Sequence, residues 1–414
     1  MADIPRNLYM HFPFCRGKCS YCALYSRGAV ALSERKAYSA KMADALSKLS
    51  ARGAKFSTVY FGGGSPALCD LDAVLSSLAP CLEIDAEVSV ELHPLDVKKP
   101  LLDMLRSEGV NRISMGVESL DNATLRDMGR RYSLNEAKDA FFTVREFFDN
   151  AGIDLIVGYP RVGNAEEWKI EKLADWGITH CSVYSLQLEE ESSLASREGI
   201  ESSLPGDDEV MDSLKNIGEF LESISLERYE ISNWARKGRE CRHNSAVWAG
   251  EDYLGLGTGA YSRVALRRMR GAWGVDGEGA EEVSVVSEED DIKERLLFRL
   301  RTRKGLDASL CPRWKETLEK FVAEGVLSSA GDIYRLTPRG MEICDYVLAA
   351  LVSPPHSQRP APNSQHLPPN PLTPQLSTPH SQQHENENIM RPVCQIETTP
   401  VTDSKWRRRK STNV

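Results

Sequence analysis

Long apolar runs are missing from this 414-residue sequence. No stretch reaches the length of about 18 to 20 apolar residues that a helix needs to cross a bilayer. The N-terminus, MADIPRNLYMHF, also lacks the basic and then apolar layout of a secretory signal peptide. These two absences predict a protein that has no transmembrane segment and is located in the cytoplasm.

An excess of positive charge is missing as well. The formal net charge is −9, whereas proteins that bind nucleic acids in general present a basic surface. Nucleic acid is therefore not expected as a partner.

Cysteine is scarce, with ten residues in the chain. That number is too small for a disulfide scaffold, and clustered cysteines in a reducing compartment are more often metal ligands. Three of them are clustered, namely Cys15, Cys19 and Cys22. The other seven are scattered, and we interpret them as buried or incidental thiols.

Six short apolar runs predict buried strands, because each is rich in β-branched or aromatic residues and most end at Gly or Pro. Segments with helical apolar spacing separate them, which is typical of parallel βαβ units. Six units are too few to close a full barrel of eight. The sequence therefore predicts an α/β fold with a partial (β/α)6 TIM-like barrel. The predicted strands are Leu8–Phe14, Phe56–Phe61, Val88–Leu92, Arg112–Val117, Ile153–Val157 and Cys181–Leu186.

Four regions follow from the pattern along the chain. We expect the partial barrel over residues 1–187, an accessory segment over 188–290, and a small winged-helix-like domain over 291–352. The remainder, 353–414, is rich in Pro, Ser and Gln and contains few apolar residues. Such a composition cannot bury enough apolar surface to offset the entropy of ordering, so we expect a disordered tail.

The clustered cysteines form a CxxxCxxC pattern directly after the first predicted strand. A structural zinc site needs four ligands, and apart from His11 on the strand no fourth Cys or His lies nearby. A [4Fe–4S] cluster held by three thiolates keeps one iron open. The amino and carboxylate groups of S-adenosylmethionine (SAM) can fill that position. Zinc binding and accidental spacing are the alternatives.

Two further signals lie at the ends of later strands. The run FGGGSP contains Gly63, Gly64 and Ser65, and its glycines let the backbone approach a ligand, although such a run is more often a flexible turn. Glu91, Glu118 and Asp154 lie on otherwise apolar strands. Carboxylates are costly to bury there unless they bind something or face solvent.

These residues resemble a known family. The sequence is similar to the radical SAM proteins that include oxygen-independent coproporphyrinogen III dehydrogenase and the HemW-type heme chaperones. The resemblance runs from Leu8 to about Val352 and rests on the motifs YMHFPFC, FGGGSP, RISMGVES, MGR, DLIVGYP and YEISNWA. It implies that Cys15, Cys19 and Cys22 hold the cluster. It also implies SAM contacts from Tyr9, Tyr21, Gly63, Gly64, Ser65, Glu91, Glu118, Arg130 and Asp154.

Two features separate the branches of this family. The dehydrogenases carry a fourth cysteine two residues after the third, where this chain has Leu24. The chaperone branch carries HNxxYW, and this chain has His243-Asn244 followed by Trp248. Imidazole is a common axial ligand of heme iron, so His243 is a candidate heme ligand; a packed histidine is the alternative.

The chain departs from the family at several positions. Ala23-Leu24 replaces Asp-Phe, Glu118 replaces Gln, Tyr132 replaces His and Val247 replaces Tyr. The extra negative charge of Glu118 is expected to weaken a hydrogen bond to SAM.

Three functions remain open at this point. The first is a heme chaperone that binds the cluster, SAM and heme and passes heme to an acceptor protein. The second is a radical SAM enzyme of the coproporphyrinogen III dehydrogenase type, or one acting on an unknown substrate. The third, an RNA-modifying enzyme, is disfavoured by the acidic charge. Leu24 and His243 favour the first and predict no coproporphyrinogen dehydrogenase activity. A homodimer stays open.

Overall fold

The computed structural model describes residues 3–161, 170–310 and 312–352. The predicted tail, residues 353–414, lies outside the described residues. Within the described part no helix is both long and apolar enough to cross a membrane, and the cytoplasmic location stays a prediction.

Six parallel strands form the centre of the molecule, and they lie side by side in chain order. The α/β fold and the parallel sheet of a partial barrel are thereby confirmed. All six predicted strands are present, with shifted ends. They are β1 Asn7–Phe12, β2 Phe56–Gly63, β3 Leu82–Leu92, β4 Arg112–Glu118, β5 Ala151–Val157 and β6 His180–Ser185.

Strand β1 shows how the two faces of the sheet differ. All six of its residues are buried, but successive side chains of a strand point to opposite faces. Leu8, Met10 and Phe12 belong to the main hydrophobic core. Asn7 and Tyr9 lie on the other face, where Asn7 accepts a hydrogen bond from Thr58 of β2. The interior of the barrel is therefore more polar than a continuous apolar run suggests.

The region after β6 extends this sheet at both edges. Strands β7 Glu227–Glu230 and β8 Asn233–Ala235 continue it beyond β6. Strand β9 Tyr253–Leu256 pairs in parallel with β1 at the other edge. Strands β10 Tyr261–Val264, β11 Arg267–Arg270 and β12 Glu282–Val285 follow antiparallel, which completes a sheet of twelve strands.

Helices cover the outer face of the sheet. Helix α5 begins with a capping box, because Ser133 and Glu136 each bind the other's backbone N–H. In chain order the helices are α1 Leu32–Ala51, α2 Leu71–Leu78, α3 Lys99–Ser107, α4 Asn122–Asp127, α5 Leu134–Arg145, α6 Ile200–Ser203, α7 Asp207–Ser223 and α8 Arg242–Trp248.

The C-terminal region has its own small sheet and its own hydrophobic core. Its sheet has the order β13-β15-β14, with β13 Leu306–Asp307, β14 Leu327–Ala330 and β15 Ile333–Leu336. Its helices are α9 Glu288–Leu300, α10 Lys315–Ala323, α11 Pro338–Glu342 and α12 Cys344–Val352. Buried Arg263 and Arg268 of the large sheet pair with Asp291 of α9, which fixes the two parts together.

Candidate functional site

A cavity of about 1090 Å³ lies at the carboxyl ends of the parallel strands. In parallel α/β proteins this edge carries the ligand sites, because the loops that follow the strands converge there. Most of the predicted site residues line this cavity. They are Cys15, Cys19, Tyr21, Cys22, Gly63, Gly64, Ser65, Glu91, Glu118, Arg130 and Asp154.

The cysteine loop forms one wall of the cavity. Its first two residues, Phe14–Cys15, pair with Arg27–Gly28, which folds the loop back on itself. Backbone hydrogen bonds hold the rest of it, from Cys22 N to Cys19 O at 3.2 Å and from Ser20 N to Met128 O at 3.0 Å. Burial raises the pKa of the Cys22 thiol to about 11. Binding of iron would therefore release protons from these thiols.

The glycine run lies directly against the cysteine loop. A Cβ on Gly64 would stand 2.9 Å from the Cys15 Sγ and 2.6 Å from the Phe14 carbonyl oxygen. Gly63 has a φ of 105°, which L side chains rarely adopt, and its N–H donates to Glu91 Oε2 at 3.2 Å. Only glycine fits at these two positions, so the run forms a close backbone cradle beside the thiols.

This donor set fits a cluster with three thiolate ligands. In the described residues no three His, Cys, Asp or Glu side chains converge on a point that could hold one metal ion. The three thiols share the wall of one large cavity instead. Thiolate is the usual ligand of iron–sulfur clusters, and the neighbouring carboxylates and backbone N–H groups suit a ligand with an ammonium and a carboxylate group.

Glu118 and Arg130 form a buried ion pair at the end of β4, where both side chains are 11% exposed. The same guanidinium donates to the Tyr21 hydroxyl at 2.7 Å. Burial raises the pKa of Glu118, and the positive charge of Arg130 opposes that shift. The sequence predicted an additional negative charge at this site, but the ion pair with Arg130 offsets it.

The backbone of Glu118 is unusual as well. Its φ is 68°, and the pairing of β4 with β5 shifts register between Gly116 and Glu118. Left-handed backbone in a residue other than glycine is uncommon and carries strain. The Tyr132 hydroxyl donates to the carbonyl oxygens of Gly116 and Val117 at 2.9 and 3.1 Å, which supports this bulge.

Hydrogen bonds orient the remaining polar residues of the site. The Ser114 hydroxyl donates to Asp154 at 3.0 Å, while burial raises the pKa of this carboxyl. Ser65 donates to Asp96, which also accepts from Arg16 Nε at 2.7 Å. Asp96 was missed by the sequence analysis, because its role depends on contacts 31 and 80 residues away in the chain.

Tyr9 and His243 are placed differently from the other predicted residues. Neither is among the residues that line the cavity. The Tyr9 hydroxyl lies 3.1 Å from His11 Nδ1. His243 is 1% exposed, and its Nδ1 lies 3.0 Å from the Thr58 hydroxyl. Both residues belong to the layer of side chains below the cavity.

A group of cations at the cavity was also missed by the sequence analysis. Lys18, Arg126 and Arg131 line the cavity and are exposed. None of the three takes part in an ion pair within the described part of the chain. Arg131 comes next to the cysteine loop, since its guanidinium would lie 3.6 Å from a Cβ on Gly17. Such side chains suit a ligand that carries carboxylates.

Comparisons with known proteins identify the family of this chain. The family model of the Radical SAM superfamily matches residues 9–174, and that of the HemN C-terminal domain matches residues 286–343. Heme chaperone HemW of Mycobacterium tuberculosis is 30% identical over 388 residues, covering 85% of this chain and 96% of that protein. Radical S-adenosyl methionine domain-containing protein 1, mitochondrial, of Mus musculus is 31% identical, covering 80% of this chain and 75% of that protein.

A solved structure gives the same fold. Coproporphyrinogen III oxidase (HemN) of Escherichia coli superposes with a TM-score of 0.71 at 20% identity, covering 84% of this chain and 90% of that one. At that identity the likeness concerns the fold alone.

Proposed function

This chain belongs to the radical SAM superfamily, and from that premise we propose that it is a heme chaperone, which binds heme and passes it to an acceptor protein. Membership in the superfamily implies a [4Fe–4S] cluster and SAM as cofactors. The role in heme transfer goes beyond the family. The similarity to proteins named heme chaperones supports it, at 30% identity over most of the chain.

In this proposal the cavity holds the cluster and SAM. Cys15, Cys19 and Cys22 bind the cluster, and the cradle at Gly63 and Gly64 with Glu91 receives the amino group of SAM. When bound, the cluster supplies one electron to SAM. Glu118 and Arg130 form a buried ion pair, so Arg130 stays oriented toward the cavity beside Tyr21.

The observation that best supports the chaperone role is the position of Leu24 in the cavity. It lines the cavity at the position where the dehydrogenases of this family carry a fourth cysteine. An apolar side chain there cannot bind a metal or transfer a proton. The cavity therefore lacks one chemical group of the enzymes and keeps the space for a large ligand.

Heme carries two carboxylates, and the exposed cations Lys18, Arg126 and Arg131 suit them. We therefore place heme at the mouth of the cavity. His243 is not used as its axial ligand in this proposal, because the imidazole would have to leave the packed layer in which it is 1% exposed.

A heme titration tests this proposal. Anaerobic protein loaded with iron and sulfide is titrated with heme and followed by absorbance, with saturation expected at one heme per chain. Replacing Lys18, Arg126 and Arg131 together by Ala should weaken binding about tenfold, since three exposed charges that contribute about 0.5 kcal/mol each amount to about 1.5 kcal/mol.

The matched control replaces three exposed lysines that are not part of the cavity lining, namely Lys215, Lys237 and Lys304. This control should bind heme like the unmodified protein. Absence of saturable binding by the unmodified protein would refute the chaperone proposal, and equal losses in the two triple variants would refute the placement at the mouth.

A further inference from the structure

Helix α8, which carries the HNxxxW motif, closes the base of the barrel. It packs against the inner faces of β1 and β2, and its His243 reaches Thr58 near the amino end of β2. Thr58 precedes Gly63 by five residues on this strand, which corresponds to roughly 16 Å along a strand. The motif therefore lies at the opposite end of the barrel from the cysteine loop.

The first turn of α8 is anchored to β3. The backbone N–H groups of Arg242 and His243 donate to the two carboxylate oxygens of Glu87 at 3.0 and 3.1 Å. Glu87 is itself 5% exposed. An acidic group at the start of a helix satisfies N–H groups that the helix leaves unpaired. His243 is thus fixed both through its backbone and through its ring.

The His243 ring supports the ring of Tyr60, whose centroid lies 5.5 Å away. Tyr60 lies on β2 and is 4% exposed. Its hydroxyl donates to Glu91 Oε1 at 2.9 Å, while Gly63 N donates to Glu91 Oε2 at 3.2 Å. Glu91 lines the cavity. A continuous set of contacts therefore joins the motif at the base to the carboxylate at the top.

We infer that His243 is a positioning residue of the cofactor site: it holds Tyr60, and through Tyr60 it fixes the carboxylate of Glu91 for the amino group of SAM. The residue acts from the layer below the cavity and touches no cofactor. Partners outside the first layer of a site commonly change affinity by about 10- to 100-fold when they are replaced. This inference rests on the cofactor site and is independent of heme binding.

The experiment compares His243→Gln, Tyr60→Phe and the double variant. SAM binding to the anaerobic, cluster-loaded proteins is measured by calorimetry, and the change that SAM causes in the electron paramagnetic resonance spectrum of the reduced cluster is recorded. Each single variant should weaken SAM about tenfold. The double variant should also lose about tenfold and not a hundredfold, because both changes act on one chain of contacts.

Two buried residues of the same sheet serve as matched controls. His180→Gln replaces a histidine that donates to or accepts from the Tyr229 hydroxyl at 2.8 Å, and Tyr253→Phe replaces a tyrosine packed beside Trp248. Both residues are connected to α8, His180 through the Tyr229 hydroxyl that accepts from Cys241 N and Tyr253 through Trp248. Both variants leave the contact between His243 and Tyr60 in place, so they should bind SAM within about twofold of the unmodified protein. His243→Ala is a harsher replacement, and the Gln variant carries the test if the Ala variant does not fold.

Three results would overturn the inference. One is unchanged SAM affinity in the single variants. Another is a loss in the double variant equal to the product of the single losses. The third is loss of heme binding by His243→Gln with unchanged SAM binding, which would make this histidine a heme ligand. Failure of the unmodified protein to bind heme would count against the chaperone proposal alone and would leave the SAM comparison intact.

Discussion

The two ends of the barrel can be compared through the motif that each of them holds. At the carboxyl ends of the strands, Cys15, Cys19 and Cys22 are half-buried and face a cavity of about 1090 Å³. At the amino ends, His243 is 1% exposed and its ring and backbone contact protein groups. Both motifs contain metal-ligating residue types. From this difference we propose that access to a cavity, and not residue type alone, decides which of the two motifs binds a ligand.

The largest effect of a substitution is expected at the carboxyl ends of the strands, where the cysteines face the cavity. Replacing Cys15, Cys19 or Cys22 by Ala should abolish the cluster, whereas the unmodified protein should carry about four irons and four sulfides. Cys69→Ala is the matched control, since Cys69 is also half-buried but is not in the cavity lining. Iron and sulfide analysis after anaerobic reconstitution measures the effect. A site that takes up zinc and does not exchange it for iron would contradict the account.

The next largest effect is expected for Glu91, the carboxylate that connects the cavity to His243 through Tyr60. Glu91→Ala removes a charged acceptor from the cavity and should weaken SAM binding by about 1–3 kcal/mol, the usual contribution of a hydrogen bond to a charged group. Calorimetry on the cluster-loaded protein measures it. Glu189→Ala removes another carboxylate of the cavity lining and should have a smaller effect. Equal SAM affinity in the Glu91 variant would refute the assignment.

The sequence predicted the site at one end of the barrel better than at the other, because the contacts at the two ends differ in sequence separation. The cysteine pattern directly follows β1, so its place at the carboxyl edge was a local property of the chain. His243 lies 185 residues from Thr58 in sequence, and no local pattern specifies that contact. The pairing of Glu118 with Arg130 was missed for a related reason, because it needs the bulge that ends β4.

The fold shows the same limit. The long apolar strands were predicted, although β3 begins at Leu82 and not at Val88. Its early residues alternate apolar and polar like the later ones, but Ile84 is fully exposed, so this part of the strand was not recognised as a buried run. Strands β7 to β12 have three or four residues each. Such short edge strands carry too few residues for a periodic pattern. They pair with the two edges of the sheet only once the barrel has folded, so the local sequence does not predict that pairing.

The burial of His243 at the amino ends of the strands leads to a prediction about how stability depends on pH. Burial, and then the nearby charge of Arg112, lower the pKa of His243 to about 3. An unfolded histidine has a pKa of about 6.5, so below that value the unfolded chain binds a proton that the folded chain does not. This contribution therefore reduces stability as the pH falls from about 6.5 toward 3.

Between pH 7 and pH 5 the loss from this histidine amounts to about 2 kcal/mol. His243→Gln removes it, so the variant should lose less stability than the unmodified protein over this range. Urea denaturation of the anaerobic proteins at the two pH values measures the difference. Equal pH dependence in the two proteins would show that His243 titrates normally and is not held in the closed layer.

The smallest effect is expected for Glu118→Gln. The change removes the negative charge beside Arg130 and should lower stability by about 1–2 kcal/mol. SAM should bind at least as well, because Arg130 then has no competing carboxylate. Glu146→Gln, which breaks an exposed pair with Lys99, should leave stability nearly unchanged. Loss of SAM binding in the Glu118 variant would show that the carboxylate itself is required.

We propose above all that the cavity at the carboxyl ends of the strands binds heme and does not convert a porphyrinogen. The most direct measurement incubates the anaerobic, cluster-loaded protein with SAM, a reductant and coproporphyrinogen III, and follows the products by chromatography. Decarboxylation requires the propionate to be held in near contact with the reacting group, and with Leu24 in the cavity we expect no protoporphyrinogen. Decarboxylated product formed over many turnovers would contradict the chaperone account and identify the protein as an enzyme.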